Sequence, residues 1–556
     1  MDLLTTNDTP GAYPGSFYAA TAETLAPFPA AQGELRCDVC VIGAGFMGLS
    51  TAWHLAERGY EVILLDAQRV GFGASGRNGG QVSMGQRVEQ DGLETMVGKA
   101  HARELWTIGA QAVDLVRHLC ERSEVHTSFV EGIVHAVHRA RYHPENHEHV
   151  AHLREHYGHD RIRVLEPDEC REIVNSPAYH GGTLDMASGH VNPLELALGL
   201  ARLAEAAGVR IHERSRVMNI ARGNPATVKT DNATIRAGHV VLGCNGYLGT
   251  LEQHVASRVM PINNFIVATE ALGAERQASI IRNNFAVADS KFVVNYFRFS
   301  EDHRLLFGGT ESYGYRFPND IAAKVRKPLA EIFPQLADVR IDHAWGGTLG
   351  ITMNRMPHFK RLDGNIMSLS GFSGSGVALA TLAGQIAAET IAGQAERFDV
   401  MASVPTRSFP GGPHFRSPLL VLVIVRVFEC TARALPRHYP GSTGASPGHH
   451  QNTDRATTRA PRRHRSRQSR KRARQSSPWF SLPDGFPHLL VAAVVAIDGI
   501  TAGLGCEIHV DADRGAVAGR QGKFAAEVLA AGAAFRGDVA GRKRFARLER
   551  DVLVNR

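Results

Sequence analysis

This chain has no apolar run long enough to cross a bilayer. Its longest, Leu419–Val425 and Leu489–Ile497, fall far short of the roughly 20 residues a spanning helix needs. The opening MDLLTTNDTPGAYPG has neither a basic start nor an apolar core, so no secretory signal is expected there. Seven cysteines, an odd number at irregular spacing, make no disulfide framework and point to a reducing compartment. Cys37 and Cys40 spell C-x-x-C, but no second pair follows, which favours strand packing over zinc or redox chemistry. These absences leave a soluble, cytoplasmic protein with no membrane partner as the expectation. Net positive charge is also missing from most of the chain. The formal +7 comes from Val425–Arg556, where 23 Lys and Arg face 11 Asp and Glu, so Met1–Ile424 carries −5.

At 556 residues the chain has room for two or three cores, and its 44% hydrophobic content is globular. What organises it is the stretch Asp38–Gly80. Val39–Ile42 reads as a buried strand that runs straight into Gly43, Gly45 and Gly48, the spacing G-x-G-x-x-G. In a strand-turn-helix unit Gly43 makes the tight turn, Gly45 lets the backbone approach a pyrophosphate, and Gly48 lets the helix pack on the strand. The helix, opening with Phe46 and Met47, runs through Leu55 and Ala56 and stops at Gly59, and Glu61–Leu65 is the second strand. Asp66 ends that strand eighteen residues past Gly48, where a carboxylate accepts from an adenosine ribose diol. GFGASGRNGGQ follows, and its small residues Ala74, Ser75, Gly76, Gly79 and Gly80 around Arg77 and Asn78 indicate backbone passing close to a flat ligand.

Further along, Leu93–Leu119 reads as an amphipathic helix, and a His-rich stretch follows in which His147, His149 and His152 match no recognised metal spacing. Tyr179–Asp185 reads as a strand. Pro193 opens a helix with Leu196, Leu200 and Leu203 on one stripe, stopped at Gly208. Val217–Ile220 and Thr227–Lys229 suggest a hairpin. Gly238–Gly246 is another buried strand ending in small residues, so Gly243, Asn245 and Gly246 are expected at the same ligand crevice. Phe292, Val294, Tyr296 and Arg298 alternate as one face of a strand, with a return at Arg304–Gly308 after a Glu301-Asp302 turn. That face reads equally as recognition of a polar substrate or as a sheet edge. Finally Asn365–Ala378 repeats the strand, Gly-Ser turn and helix start, offering N–H groups to a second electron-rich end of the ligand. The helix Leu379–Ile391 then closes the ordered part.

VIGAGFMGLSTAWHLAERGYEV, GFGASGRNGGQ, NYFRFSEDHRLLFGG, WGGTLGITMNRMPHF and GFSGSGVALATLAG, in that order over about Ser16–Leu422, resemble the FAD-dependent amino-acid and amine oxidoreductases related to D-amino-acid oxidase, glycine oxidase and sarcosine oxidase. Within that family the chain is most similar to the gamma-glutamylputrescine oxidoreductase branch. The resemblance implies an α/β fold: an FAD-binding, Rossmann-like doubly wound domain built from residues 36–97, 186–256 and 341–424, and an α+β substrate domain of mixed sheet from residues 98–185 and 257–340. Residues 1–35, rich in Pro, Ala, Thr and Gly, read by composition as an extended arm over the surface rather than a domain. The resemblance also implies that the C–H beside an amine gives a hydride to flavin N5, that the imine hydrolyses, and that oxygen or another acceptor reoxidises the flavin. The favoured substrate is gamma-glutamylputrescine or a related amine. Sarcosine, glycine or a D-amino acid is the alternative. Carried onto this chain, the cofactor contacts add Gly346, Thr352, Gly371, Gly374, Ser375 and Gly376, while Tyr296 and Arg298 are the substrate-side candidates. No cysteine stands in Trp345–Pro357, where some relatives attach FAD, so non-covalent FAD is expected.

Two departures stand out. Ser375 occupies a position where the branch commonly has histidine. The resemblance then stops near Val423, where composition changes to PRRHRSRQSRKRAR and Ala/Val/Gly-rich pieces. The expectation is that residues 425–556 are an out-of-frame, disordered or non-native tail. The rivals are a polyanion-binding extension, with nucleic acid disfavoured because no recognised nucleic-acid fold surrounds it, and an inactive flavin-binding scaffold.

Overall fold

The computed structural model describes residues 2–412. Expectations placed beyond them, the basic tail above all, lie outside the described residues. Two sheets carry the fold. In the first, Gly33–Ile42 is central, with Ala233–Leu242 parallel on one side and Val62–Leu65 then Arg210–His212 parallel on the other. Ile366–Ser370 extends the sheet beyond Ala233–Leu242, and His358–Asp363 closes it as an antiparallel edge. Each central strand ends in a fully apolar run (Val39–Ile42, Val62–Leu65, Val240–Leu242) buried on both faces, as a parallel sheet under helices requires.

Helices Phe46–Ala56 and Gly376–Ile391 cover one face of this sheet and pack on each other so closely that a Cβ on Gly384 would stand 2.5 Å from the Met47 carbonyl oxygen. Helix Pro193–Ala206 joins them, with the Asn192 side chain accepting from the N–H groups of Leu194 and Glu195 and Pro193 in the first turn. The hairpin Val217–Ala221 with Ala226–Thr230 pairs to the early half of Ala233–Leu242, as read from the sequence.

The second sheet has nine strands in mixed order, running from Ile341–Ile351 through Met260–Ala271, Arg304–Ser312, Tyr296–Phe299, Ala286–Asp289, Val130–Ala136 and Gly182–His190 to Gln81–Val82. Ile162–Leu165 pairs with Gly182–His190. Its own core holds Phe265, Phe297, Phe307 and Phe333, with Phe297 and Phe307 stacked at 5.4 Å.

Several expectations change. The helix read over Leu93–Leu119 is two helices, Gln90–Val97 and Lys99–Leu119, broken at Gly98, whose φ of +85° an L side chain adopts only at a cost. The strand read through Phe292 begins only at Tyr296, and Phe292 is 64% exposed. Ile341–Ile351, assigned to the nucleotide side by the boundary at 341, lies in the second sheet. A further helix, Glu396–Ala402, follows Ile391. The N-terminal arm is folded down and contains the short helix Phe17–Thr21, with Tyr18 fully buried. Cys37 and Cys40 are free thiols in the central strand, as strand packing predicts.

Candidate active site

The turn after the central strand has the expected form, and each glycine is required by a specific contact. Gly43 has φ +105° and lies against the backbone of Gly243; a Cβ there would come within 2.9 Å of the Gly243 carbonyl oxygen. A Cβ on Gly48 would stand 1.8 Å from the Gly43 carbonyl oxygen, so helix and strand could not approach as they do. Gly45 is the N-cap of helix Phe46–Ala56 and offers no side-chain cap. Instead the Phe46 N–H donates to Ser75 Oγ at 3.0 Å, which ties the turn to the loop 71–80. Asp66 stands at the next strand end, its carboxylate accepting from the N–H groups of Ala44 at 2.6 Å and Gln68 at 2.7 Å. Burial outweighs these two bonds and pushes its carboxyl pKa up to about 6.

Distant segments close on the same crevice. Asn245, at φ +45°, accepts the Gly371 N–H at 2.9 Å, and a Cβ on Gly246 would meet the Leu349 carbonyl oxygen at 2.7 Å. Ser373 Oγ accepts the Thr352 N–H at 3.2 Å, and the Ser373 N–H donates to the Gly350 carbonyl oxygen at 3.0 Å. The Thr352 hydroxyl donates to the Met356 carbonyl, so this buried threonine shapes the bend in its own loop. Gly374, at φ +97°, has open space on its side-chain side, and Ser375 begins helix Gly376–Ile391 without a side-chain cap. The structure thus brings residues 43–48, 66, 74–80, 245–246, 346–352 and 371–376 to one crevice.

The loop 71–80 is held from above. Arg77 Nε donates to the Phe72 carbonyl, and its Nη1 reaches both carboxylate oxygens of Asp8 at 3.0 Å and the Gly346 carbonyl at 3.2 Å. Its Nη2 is buried without a partner among the described residues. Trp345 Nε1 donates to the Arg77 carbonyl at 3.0 Å, and Gly347 packs against the Arg77 side chain. Asn78 is internal to the loop: its amide donates to the carbonyls of Ala74 and Ser75, and its Oδ1 accepts the Gly80 N–H. Two helix starts without side-chain caps, the free space at Gly374 and the orphaned Arg77 Nη2 form a cradle suited to an anionic dinucleotide.

On the second sheet, Tyr296 lies across Gly79 and Gly308, and its hydroxyl donates to Asn264 Oδ1 at 2.5 Å. Arg298 has a different position from the one expected. Its guanidinium is buried and engaged by the carbonyls of Gly79, Phe299 and Val191 and the Tyr18 hydroxyl, so it clamps the 71–80 loop and the arm to the sheet. Sequence reasoning missed Glu311, the cross-strand neighbour of Asn264, whose Oε2 accepts from the Tyr313 hydroxyl at 2.9 Å. Burial raises its carboxyl pKa, opposed by Tyr313 and by the charges of Arg355 and Arg87. Those two arginines are half-buried, their guanidinium groups make no hydrogen bond or ion pair among the described residues, and Arg355, at φ +64°, donates its backbone N–H to the Thr352 carbonyl. No spacing signal points to this trio, because it comes from a strand and two loops.

A family model described as FAD dependent oxidoreductase matches residues 38–390. The chain is 40% identical over 410 residues to the probable oxidoreductase OrdL of Rhizobium meliloti (strain 1021), covering 74% of this chain and 95% of that protein. It is 38% identical over 414 residues to gamma-glutamylputrescine oxidoreductase of Escherichia coli (strain K12), covering 73% and 96%. Glycine oxidase from Geobacillus kaustophilus, a solved structure, shares the fold at a TM-score of 0.57 and 20% identity, over 67% of this chain and 99% of its own.

Proposed function

This chain belongs to the FAD-dependent oxidoreductase family, whose members act on amines or amino acids, and from that premise we propose that its substrate is gamma-glutamylputrescine or a closely related amine bearing a carboxylate. Bound FAD supplies the two-electron acceptor. The residues of the cradle fit it: the Phe46 and Gly376 helix starts for phosphates, Asp66 for a ribose diol, and the 74–80 loop beside the ring system. The observation that carries the substrate reading is the pairing of opposite charges beside Tyr296 and Gly79. Glu311 offers a carboxylate to an ammonium, and the unpaired guanidinium groups of Arg87 and Arg355 offer donors to a carboxylate. A substrate with both groups satisfies all three at once, whereas a plain diamine leaves the two arginines unpaired. Tyr296 remains a wall of this site, its ring fixed by the bond to Asn264 and by the absence of side chains at Gly79 and Gly308.

The test is anaerobic mixing of the purified yellow protein with a panel of amines. Gamma-glutamylputrescine is expected to bleach the flavin with a kcat/KM at least about tenfold above putrescine, sarcosine or glycine, a difference of roughly 1.4 kcal/mol. In R355M that preference over putrescine is expected to collapse through KM. A panel in which glycine or sarcosine leads would move the reading to small amino acids, and no bleaching by any amine would defeat it.

A further inference from the structure

Away from the crevice, the His-rich segment folds into helix His143–Tyr157, and its first turn meets Glu166, the N-cap of helix Pro167–Ile173. His143 and His147 are one turn apart and so project from the same face. His143 Nε2 lies 3.0 Å from Glu166 Oε2, and His147 Nε2 lies 3.2 Å from Glu166 Oε1. All three ligand atoms lie within 4.8 Å of one another, and no other group of three such side chains occurs among the described residues. His143 is only 15% exposed, its Nδ1 edge lodged against Gly181, where a Cβ would come within 2.5 Å of that nitrogen. The ring therefore has one orientation, with Nε2 outward.

We propose that His143, His147 and Glu166 form a binding site for a divalent transition-metal ion of the zinc class, with water in the remaining position. The geometry supports it in two independent ways. With bonds of about 2.1 Å, neighbouring ligand atoms on a tetrahedral ion stand roughly 3.4 Å apart, and each imidazole already has one Glu166 oxygen at a comparable distance, Oε2 beside His143 and Oε1 beside His147, so a small turn of the carboxylate sets one oxygen between the two. Two imidazoles on one such ion have ring centres roughly 5.2 Å apart, since each centre lies about 3.2 Å from the metal. The His143 and His147 ring centres are 5.3 Å apart, the planes at 77°. Two neutral imidazoles and a carboxylate are a donor set that zinc, cobalt and nickel accept. Exposed His–Glu pairs hold little energy against water, so an ion can replace them. Bound there, it would join the start of one helix to the start of the next across strand Ile162–Leu165. The site is independent of the amine chemistry.

The test uses the full-length, FAD-loaded protein, stripped with EDTA and titrated with zinc chloride in a calorimeter, and with cobalt chloride in a spectrophotometer. Histidines elsewhere in the chain also bind zinc, so stoichiometries are compared between variants. H147A, at a 54% exposed position, and E166Q are each expected to bind one equivalent fewer than the parent, or to bind it roughly 10–100-fold more weakly, and to lose the tetrahedral cobalt absorption. H152Q/H156Q removes the other close His pair on the same helix, 4.8 Å between ring centres, and is expected to keep both signals. Parent-like zinc and cobalt binding in H147A and E166Q would overturn the proposal. So would loss confined to H152Q/H156Q, or a parent that binds no zinc.

Discussion

Asp66 shows how a single residue couples the cofactor to pH. Its carboxyl pKa in the FAD-free fold, about 6, lies above the ordinary 3.8, so the native state holds the proton more tightly than the unfolded chain does. Ionising it therefore lowers the stability of the empty protein as pH rises from about 4 to 6, after which the effect is constant. On the proposed FAD binding, ribose hydroxyls would donate to the carboxylate and so reverse the preference in the complex. FAD affinity is expected to be full above pH 6 and to fall as pH drops through 6, and D66N is expected to flatten that profile at a weaker level. Fluorescence of released FAD measures it, and a parent profile flat from pH 5 to 7.5 would refute it. The placing of Asp66 and the glycines around it was legible because each position sits at a fixed offset along one strand-turn-helix unit. Arg298 was misread for a related reason. Alternation in a strand fixes the face on which a side chain lies, but not what covers that face, and here the covering is the Gly79 and Val191 backbone.

Among elements, the N-terminal arm carries the least obvious load. Proline, threonine and glycine made it read as a surface wrapping. Yet Asp8 forms a buried ion pair with Arg77, their side chains 8% and 1% exposed, and Asn7 bonds the Tyr315 carbonyl and the Phe317 N–H. Removing one partner strands a buried charge, so D8A is expected to lose about 3–5 kcal/mol of stability. The 71–80 loop should loosen with it. Urea denaturation measures the loss, and limited proteolysis should show early cleavage within residues 4–14; a change under about 1 kcal/mol would mean that water readily replaces Asp8. Element types were readable where periodicity was strong, as in Pro193–Ala206. Gly98 was passed over because a glycine within a long amphipathic pattern gives no sign of its φ. The substrate-side trio was invisible for want of any pattern at all, since Glu311 meets Asn264 only through antiparallel register.

For the whole molecule, the family's architecture was recoverable because the three segments that meet at the crevice each keep a local signature, even though about 200 and 330 residues separate the first from the others. The relatives are matched over 95% and 96% of their lengths by less than three-quarters of this chain. A protein ending at Pro418 is accordingly expected to retain FAD and to be bleached by the same amine as the full chain, at rates within about twofold. Colourless protein from that shortened gene would place the remaining residues within the enzyme. The discontinuity of the crevice also sets a timetable for its birth. The glycine turn leaves the ribosome among the first fifty residues, but at about 5–20 residues per second Gly371 follows roughly 15–65 s later. Until then strand Ala233–Leu242 lacks its Ile366–Ser370 neighbour, and Asn245 lacks the Gly371 N–H that closes the crevice. A ligand stabilises only a state it can bind. FAD can therefore pull on the folding equilibrium of this chain only during about the last third of its synthesis and afterwards, and cofactor scarcity is expected to leave the first two-thirds of the nascent chain unaffected.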